Sequence, residues 1–340
     1  MPPGAALDRL GGGWDAEAAG VLAAEPILAI DLDRGTVPPQ LAALARTLPA
    51  VVIGVSAGRT GLPDAPDFDV LLTAQSGAPA PWMSVGDIEG ALAELAGPVD
   101  RSAAAAVILV QVLRLSSRLD VGDGLAAESL AYSLLQAGPV HRSWLAERPP
   151  PLTGDSMAAA VHVTREADRL AIELNRPEVH NAYSRTVRDE LAAALVLAGA
   201  DPSITRVELS GRGPSFCSGG DLTEFGLSED PALAHLIRTT RSPAALLARV
   251  AERTVALVHG SCVGAGVELP AFAGHVVADP ATTFRLPEVA MGLIPGAGGT
   301  VSLPRRIGRS RTAYLALRGN AIDAQTALAW GLVDEIRSLV

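Results

Sequence analysis

Apolar and polar positions alternate along the chain in two places that echo each other. Residues 28–34 read LAIDLDR and residues 170–176 read LAIELNR, each with the period of two of a half-buried strand. An alanine- and leucine-rich helical pattern follows each, PPQLAALARTL in the first half and RTVRDELAAALVLA in the second. An apolar strand pattern comes next, AVVIGVSAGR at 50–59 and ITRVELSGRG at 204–213. Strand, helix, strand in the same order predicts a βαβ unit in each half and a degenerate internal repeat, with chance similarity between Ala-rich segments as the alternative.

Beyond those units the halves diverge. In the first, PDFDVLLTAQ makes one more strand, and residues 101–150 read as helical material. Leu130, Leu134 and Leu135 lie on one side of it, and Gly138–Pro139 stops the run. Three consecutive prolines in ERPPPLTGDS, residues 147–156, fix an extended backbone and predict a linker. In the second half, VHVTREADRLAIELNR predicts two strands joined by a turn at Glu166–Asp168. GPSFCSGGDLTEFG places Gly219 and Gly220 ahead of a helix start at Asp221. TVALVHG is a strand running into GSCVGAGVELPAFAG.

Composition narrows the classes. The 340 residues suffice for one large domain or two ordinary ones, and 49% apolar content is ample for a core. Aromatics are only 4%, so that core is built mostly from Ala, Val and Leu. A formal net charge of −10 weighs against a nucleic-acid surface but leaves room for a local basic patch facing a phosphorylated small molecule. Cys217 and Cys262 give neither a disulfide framework nor metal spacing, and the six histidines are scattered. The N-terminus lacks a signal-peptide pattern, no stretch reaches 18 uncharged apolar residues, and SAAAAVILVQVL reads as a buried helix. The expectation is a cytoplasmic protein without a membrane span. VGAGVE lacks both the regular dinucleotide fingerprint and its distant acidic residue, so no nucleotide cofactor is expected.

The candidate chemistry lies in GSCVGAGVELP, residues 260–270. Gly264, Ala265 and Gly266 precede a lone carboxylate, Glu268, in an apolar run. Either this is close helix packing with Glu268 facing solvent, or backbone N–H groups are needed near a ligand with an acid or base behind them. Glu288, after Pro287, reads alone as a helix-start carboxylate. Asp221 reads as a cap. Cys217 and Cys262 read as small buried residues rather than as nucleophiles paired with His259. Arg305 and Arg306 read as a solvated face or a subunit contact.

Taken together, NRPEVHNAYS, FCSGGDL, GSCVGAGVEL, ADPATTFRLPEVAMGLIPGAGGTVSLPRRIG and GNAIDAQTALAWGLVDEI resemble the enoyl-CoA hydratase/isomerase (crotonase) family over about residues 158–337. That resemblance implies an α/β fold, a spiral of ββα units, assembled as a homotrimer or hexamer. It implies an acyl-CoA or related acyl thioester as substrate, with CoA entering as part of the substrate and no separate cofactor. It also maps two thioester-polarising backbone N–H groups onto Gly220 and Ala265, and a carboxylate pair onto Glu268 and Glu288. Proton transfer beside a thioester carbonyl develops negative charge on oxygen. Each backbone donor aimed at that charge is worth about 3–4 kcal/mol. Hydration needs a base for water and an acid for carbon, which two carboxylates facing one water can supply. The expected reaction is hydration of an enoyl-CoA or the reverse dehydration of a 3-hydroxyacyl-CoA. The alternatives are double-bond isomerisation and a non-catalytic acyl-thioester-binding role.

Family members continue with helices after the segment corresponding to GLVDEI, whereas here Val340 follows closely. GLAAESLAYSLLQAGPVHRSWLAERPP, residues 124–150, is similar in pattern to those terminal helices, including a Glu-bearing amphipathic helix. The expected organisation is therefore a shortened, degenerate crotonase-like βαβ portion at 1–98, replacement helices at 99–150, a linker at 151–157 and a catalytic core at 158–340. Residues 101–146 are expected to dock on that core and help close the acyl pocket.

Overall fold

The computed structural model describes residues 1–13, 15, 18–58, 61–149, 159–228 and 230–339, so the expected linker at 151–157 lies outside the described residues. After α1 (Pro3–Arg9), the first repeat is β1 (Ile27–Asp31), α2 (Pro39–Ala45) and β2 (Val51–Ser56). The two strands pair in parallel from Ile27 opposite Val51 to Asp31 opposite Val55. β3 (Val70–Thr73) and β4 (Met83–Ser84) extend this to a four-stranded parallel sheet in the order β1-β2-β3-β4. Strand alternation sorts its side chains. Leu28, Ile30 and Val52 bury against Ala6, Leu10 and Leu41, while Val51, Ile53, Val70 and Leu72 face the other way into the main core.

Four helices follow: α3 (Ile88–Arg101), α4 (Ala103–Ser116), α5 (Val121–Gln136) and α6 (Pro139–Ala146). Helix begins at Ile88, ahead of residue 99, because the Asp87 carboxylate caps it at Glu89 N–H. Asp120 caps α5, and Pro139 opens α6 where its missing N–H leaves no bond unmade. Of the three leucines read onto one side, Leu135 is buried, whereas Leu130 and Leu134 are 59% and 65% exposed.

The second half starts with an antiparallel pair, β5 (Val161–Glu166) and β6 (Arg169–Leu174), continuing through α7 (Arg185–Ala200) to β7 (Arg206–Gly211). β6 and β7 pair in parallel, so the second predicted βαβ unit forms as the first does. Next come α8 (Pro231–Thr240), α9 (Pro243–Arg249), β8 (Thr254–Val258), β9 (Ser261–Val263), α10 (Ala265–Glu268), β10 (His275–Ala278) and β11 (Thr283–Arg285). The chain closes with α11 (Gly299–Ile307), α12 (Arg309–Arg318), β12 (Ile322–Asp323), α13 (Ala324–Trp330) and β13 (Glu335–Ile336). A six-stranded sheet runs β13-β10-β8-β7-β6-β5 and a three-stranded one β12-β11-β9. Successive strands of the pairs β8–β9 and β10–β11 split between the two sheets, which winds the chain as a spiral.

The halves share one continuous apolar core. α4 and α5 pack on α11, α5 also packs on α8, and α3 and α4 pack on α12. A buried ion pair marks this junction. Arg114 of α4 donates to both oxygens of Asp69 at 2.9 and 2.5 Å and to the carbonyls of Leu48 and Ala50, and Arg309 of α12 adds bonds to the carbonyls of Pro66 and Phe68. Among the described residues no single helix is long and apolar enough to cross a membrane.

Candidate active site

Two glycine turns are pressed together by the chain's own ladder. The backbones at Cys217 and Cys262 form an isolated parallel β-bridge, Val263 N–H donates to Cys217 O at 3.0 Å, and Tyr183 N–H donates to Gly219 O at 2.7 Å. Gly219 has φ +93°, and a Cβ there would sit 3.0 Å from Val263 O. At Gly266 a Cβ would lie only 2.2 Å from Cys217 O. Only hydrogen at these two positions lets the turns meet so closely. Among the described residues, the N–H groups of Gly220 and Ala265 donate to no protein acceptor, and both residues line a cavity of about 820 Å³. The small residues of 264–266 thus serve close backbone approach, and Glu268 does not face solvent.

Glu268, the last residue of α10, is 2% exposed, and its Oε2 accepts bonds from Ala297 N–H at 2.7 Å and Gly299 N–H at 2.8 Å. Glu288 opens a short helical turn, Glu288–Met291, and is half-buried; its Oε2 is buried without a hydrogen-bond partner among the described residues. The two carboxylates face one point. A Cβ placed on Gly264, at φ +50°, would be 2.6 Å from Glu288 Oε1 and 3.8 Å from Glu268 Oε1. Burial pushes Glu268 well above the usual carboxylate range, and the neighbouring Glu288 and Glu128 charges push the same way; the two backbone donors oppose this. Glu288 is pushed up to about 8, chiefly by burial.

A third carboxylate comes from the first half. Glu128 of α5 is 2% exposed and lines the same cavity. Its Oε1 accepts from Gly298 N–H at 2.7 Å and its Oε2 from Thr300 N–H at 2.8 Å and Thr300 Oγ1 at 2.7 Å. Burial raises it to about 7 against those donors and Arg238. The sequence marks it as a single carboxylate amid the small and apolar residues of LAAESLAY and as the Glu of the amphipathic helix that resembles the family's terminal helices, without pointing to the site.

Helices α5 and α6 also wall the cavity. Tyr132 packs where a side chain on Gly296 would stand, and the Arg238 guanidinium lies 4.8 Å from its ring centre. Trp144 stacks on His141 at 5.5 Å and packs against Phe225 at 5.9 Å, with Arg148 3.7 Å above the indole. Although aromatics make up only 4% of the chain, Tyr132, Trp144 and Phe225 concentrate at this one cavity.

The remaining candidates take structural places. Asp221 caps the turn at Thr223 and binds Arg176 at 2.9 Å. Cys217 and Cys262 are buried with thiols pushed up by burial, Cys217 to about 12, and His259 Nε2 is spent on Gly213 O at 2.8 Å. Arg305 and Arg306 bind carbonyls of their own chain, Arg305 at Val301 and Leu119, Arg306 at Ala273, and Arg306 also pairs with Asp334. They fasten α11 to its neighbours. Among the described residues, no group of three or more His, Cys, Asp or Glu is placed to hold a metal ion.

A spiral of strand pairs with two glycine turns and converging carboxylates defines a class, and comparison with known proteins agrees. The sequence profile of the enoyl-CoA hydratase/isomerase family matches residues 165–340, and the chain belongs to that family. It is 36% identical over 174 residues to the 2,3-dehydroadipyl-CoA hydratase of Escherichia coli K12, covering 51% of this chain and 68% of that protein. Against the mevalonyl-coenzyme A hydratase SIDH of Beauveria bassiana it is 34% identical over 175 residues, 49% of this chain and 62% of that protein. Among solved structures, an enoyl-CoA hydratase/carnithine racemase from Magnetospirillum magneticum superposes with a TM-score of 0.50 at 26% identity, covering 54% of this chain and 70% of that one. The matched region is thus about two thirds of the relatives' length, and the helices of 103–146 lie before it.

Proposed function

We propose that this protein hydrates the conjugated double bond of an enoyl-CoA or related enoyl thioester, or catalyses the reverse dehydration. The observation that carries this reading is the convergence of Glu268 and Glu288 over Gly264, in a cavity that also holds the unbonded N–H groups of Gly220 and Ala265. Those N–H groups receive the thioester oxygen. As water adds at C3, the C2–C3 π electrons move onto that oxygen, and an enolate forms between two donors already in place. The pair shares one proton, because burial and mutual repulsion disfavour two charges. We place it on Glu288, whose Oε2 has no donor; burial raises both acids, and the two N–H bonds at Glu268 Oε2 offset that rise for Glu268 and favour its ionised form within the pair. Glu268 then takes a proton from water while Glu288 delivers one to C2, giving the 3-hydroxyacyl thioester with every atom of water accounted for.

Incubation with crotonyl-CoA in heavy-oxygen water tests the reaction: the product should be 3-hydroxybutyryl-CoA carrying the label on its hydroxyl. For a longer enoyl-CoA, double-bond movement without label would replace hydration with isomerisation. Binding without turnover of either kind would leave a thioester-binding protein.

A further inference from the structure

The turn at 297–300 presents four consecutive backbone N–H groups, and two carboxylates from different halves of the chain divide them alternately. Ala297 and Gly299 donate to Glu268, while Gly298 and Thr300 donate to Glu128. The bonds that Glu268 accepts from Ala297 and Gly299 orient it only as firmly as the turn itself is held. Phe272 and Ala244 pack close to Gly298, and Glu128 adds a hydrogen-bonded grip from α5. Thr300 is fully buried at the start of α11, and its hydroxyl is committed to Glu128 as well. A side chain at Gly299 would strike Glu268 Oε2 at 2.8 Å, so the turn and the carboxylate have no slack between them. An anion against the first N–H groups of α11 is also where the helix favours negative charge.

We propose that Glu128 is a positioning residue of the active centre: by gripping Gly298 and Thr300 it fixes the turn that orients Glu268, and it couples its own charge to the Glu268–Glu288 pair. The part concerning turnover rests on the hydratase reading; the part concerning charge does not. The charged and titratable groups facing Glu128 are Arg238 from α8, Tyr132 one turn along α5, and Glu268 and Glu288 across the turn. His235 meets the same helix at Ser129 Oγ, 3.0 Å away. With Arg238 as the one cation in that set, the two acids feel Glu128 directly, and its charge pushes both of their titrations upward.

Two readings on Glu128→Gln decide this. With crotonyl-CoA, kcat should fall about tenfold or more while KM stays within about twofold, since an orientation error at the base weakens the step rather than the binding. Both limbs of the pH profile of kcat should move to lower pH, which a loss of stability alone would not cause. Independently of turnover, carbon NMR titration of carboxyl-labelled glutamates should show the elevated titrations of the two remaining acids moving down. Titrations that stay where the parent has them overturn the proposal, whatever happens to kcat. Parent turnover that is indifferent to Glu268→Gln and Glu288→Gln would instead mark failure of the hydratase reading, and the NMR titration still decides for Glu128. If Glu128→Gln does not fold, Thr300→Val serves in its place. It strips the hydroxyl donor, drives Glu128 toward its neutral form, and should move the other two titrations down in the same sense; unmoved titrations overturn the proposal there too.

Discussion

Gly264 is where one hydrogen atom decides the chemistry. Its φ of +50° and its position under both carboxylates leave no room for a methyl, which would meet Glu288 Oε1 at 2.6 Å. Gly264→Ala should fold with a Tm lowered by the backbone strain of that φ, since the clash itself falls on a side-chain tip, and should lose about a hundredfold in kcat through displacement of the acid. Circular dichroism beside steady-state kinetics checks both halves of that statement. The same burial gives the fold a pH signature. A carboxyl whose folded pKa is raised prefers its neutral form, so its contribution to stability is complete below the ordinary carboxylate range and is lost as pH rises through about 8 for Glu288. Thermal melts between about pH 5 and pH 9 should show Tm declining toward the alkaline end, and Glu288→Gln should flatten that decline. A Gln variant as steep as the parent would show that other groups set the slope.

Among the elements, α5 and α6 do what a separate N-terminal domain would not. They supply Glu128, Tyr132 and Trp144 to the cavity and bond across to the second half, Ser133 Oγ to Pro231 O at 2.9 Å and His141 Nδ1 to Met291 O at 3.0 Å. We propose that they replace the family's terminal helices in closing the acyl pocket. A chain restricted to residues 159–340 should then aggregate or lose turnover, while a soluble, fully active product would refute the replacement. The buried Arg114–Asp69 pair makes a companion test at the other junction. Asp69→Ala leaves a buried guanidinium without its anion and should destabilise the protein by about 3–5 kcal/mol in chemical denaturation. Both βαβ units were legible in the sequence because strand period, helix length and turn residues are local properties. Glu268 and Glu288 were legible through the motifs around them. Their convergence was legible only through the family resemblance, since it needs the chain to turn back through β11 and no local pattern encodes that return. Glu128 was not legible as a site residue because its partners Gly298 and Thr300 lie 170 and 172 residues further along, and no local pattern encodes that meeting.

For the whole molecule, α5 and α8 pack on each other and each carries two leucines at helical spacing, Leu130 and Leu134 on one and Leu233 and Leu236 on the other, all more than half exposed. Exposed apolar side chains grouped on a helix face favour burial against another chain. We propose a homotrimer or hexamer, to be read by light scattering behind a sizing column; a stable 34.8 kDa monomer at micromolar concentration would contradict it. The claim on which everything else depends is that Glu268 and Glu288 work as one unit on a thioester held by Gly220 and Ala265. The direct measurement is crotonyl-CoA turnover by Glu268→Gln, Glu288→Gln and the double variant. Each single change should lower kcat by about 10²–10⁴-fold, and the double variant should be scarcely worse than either, because residues acting together fail together. Single variants that turn over as fast as the parent would contradict the account.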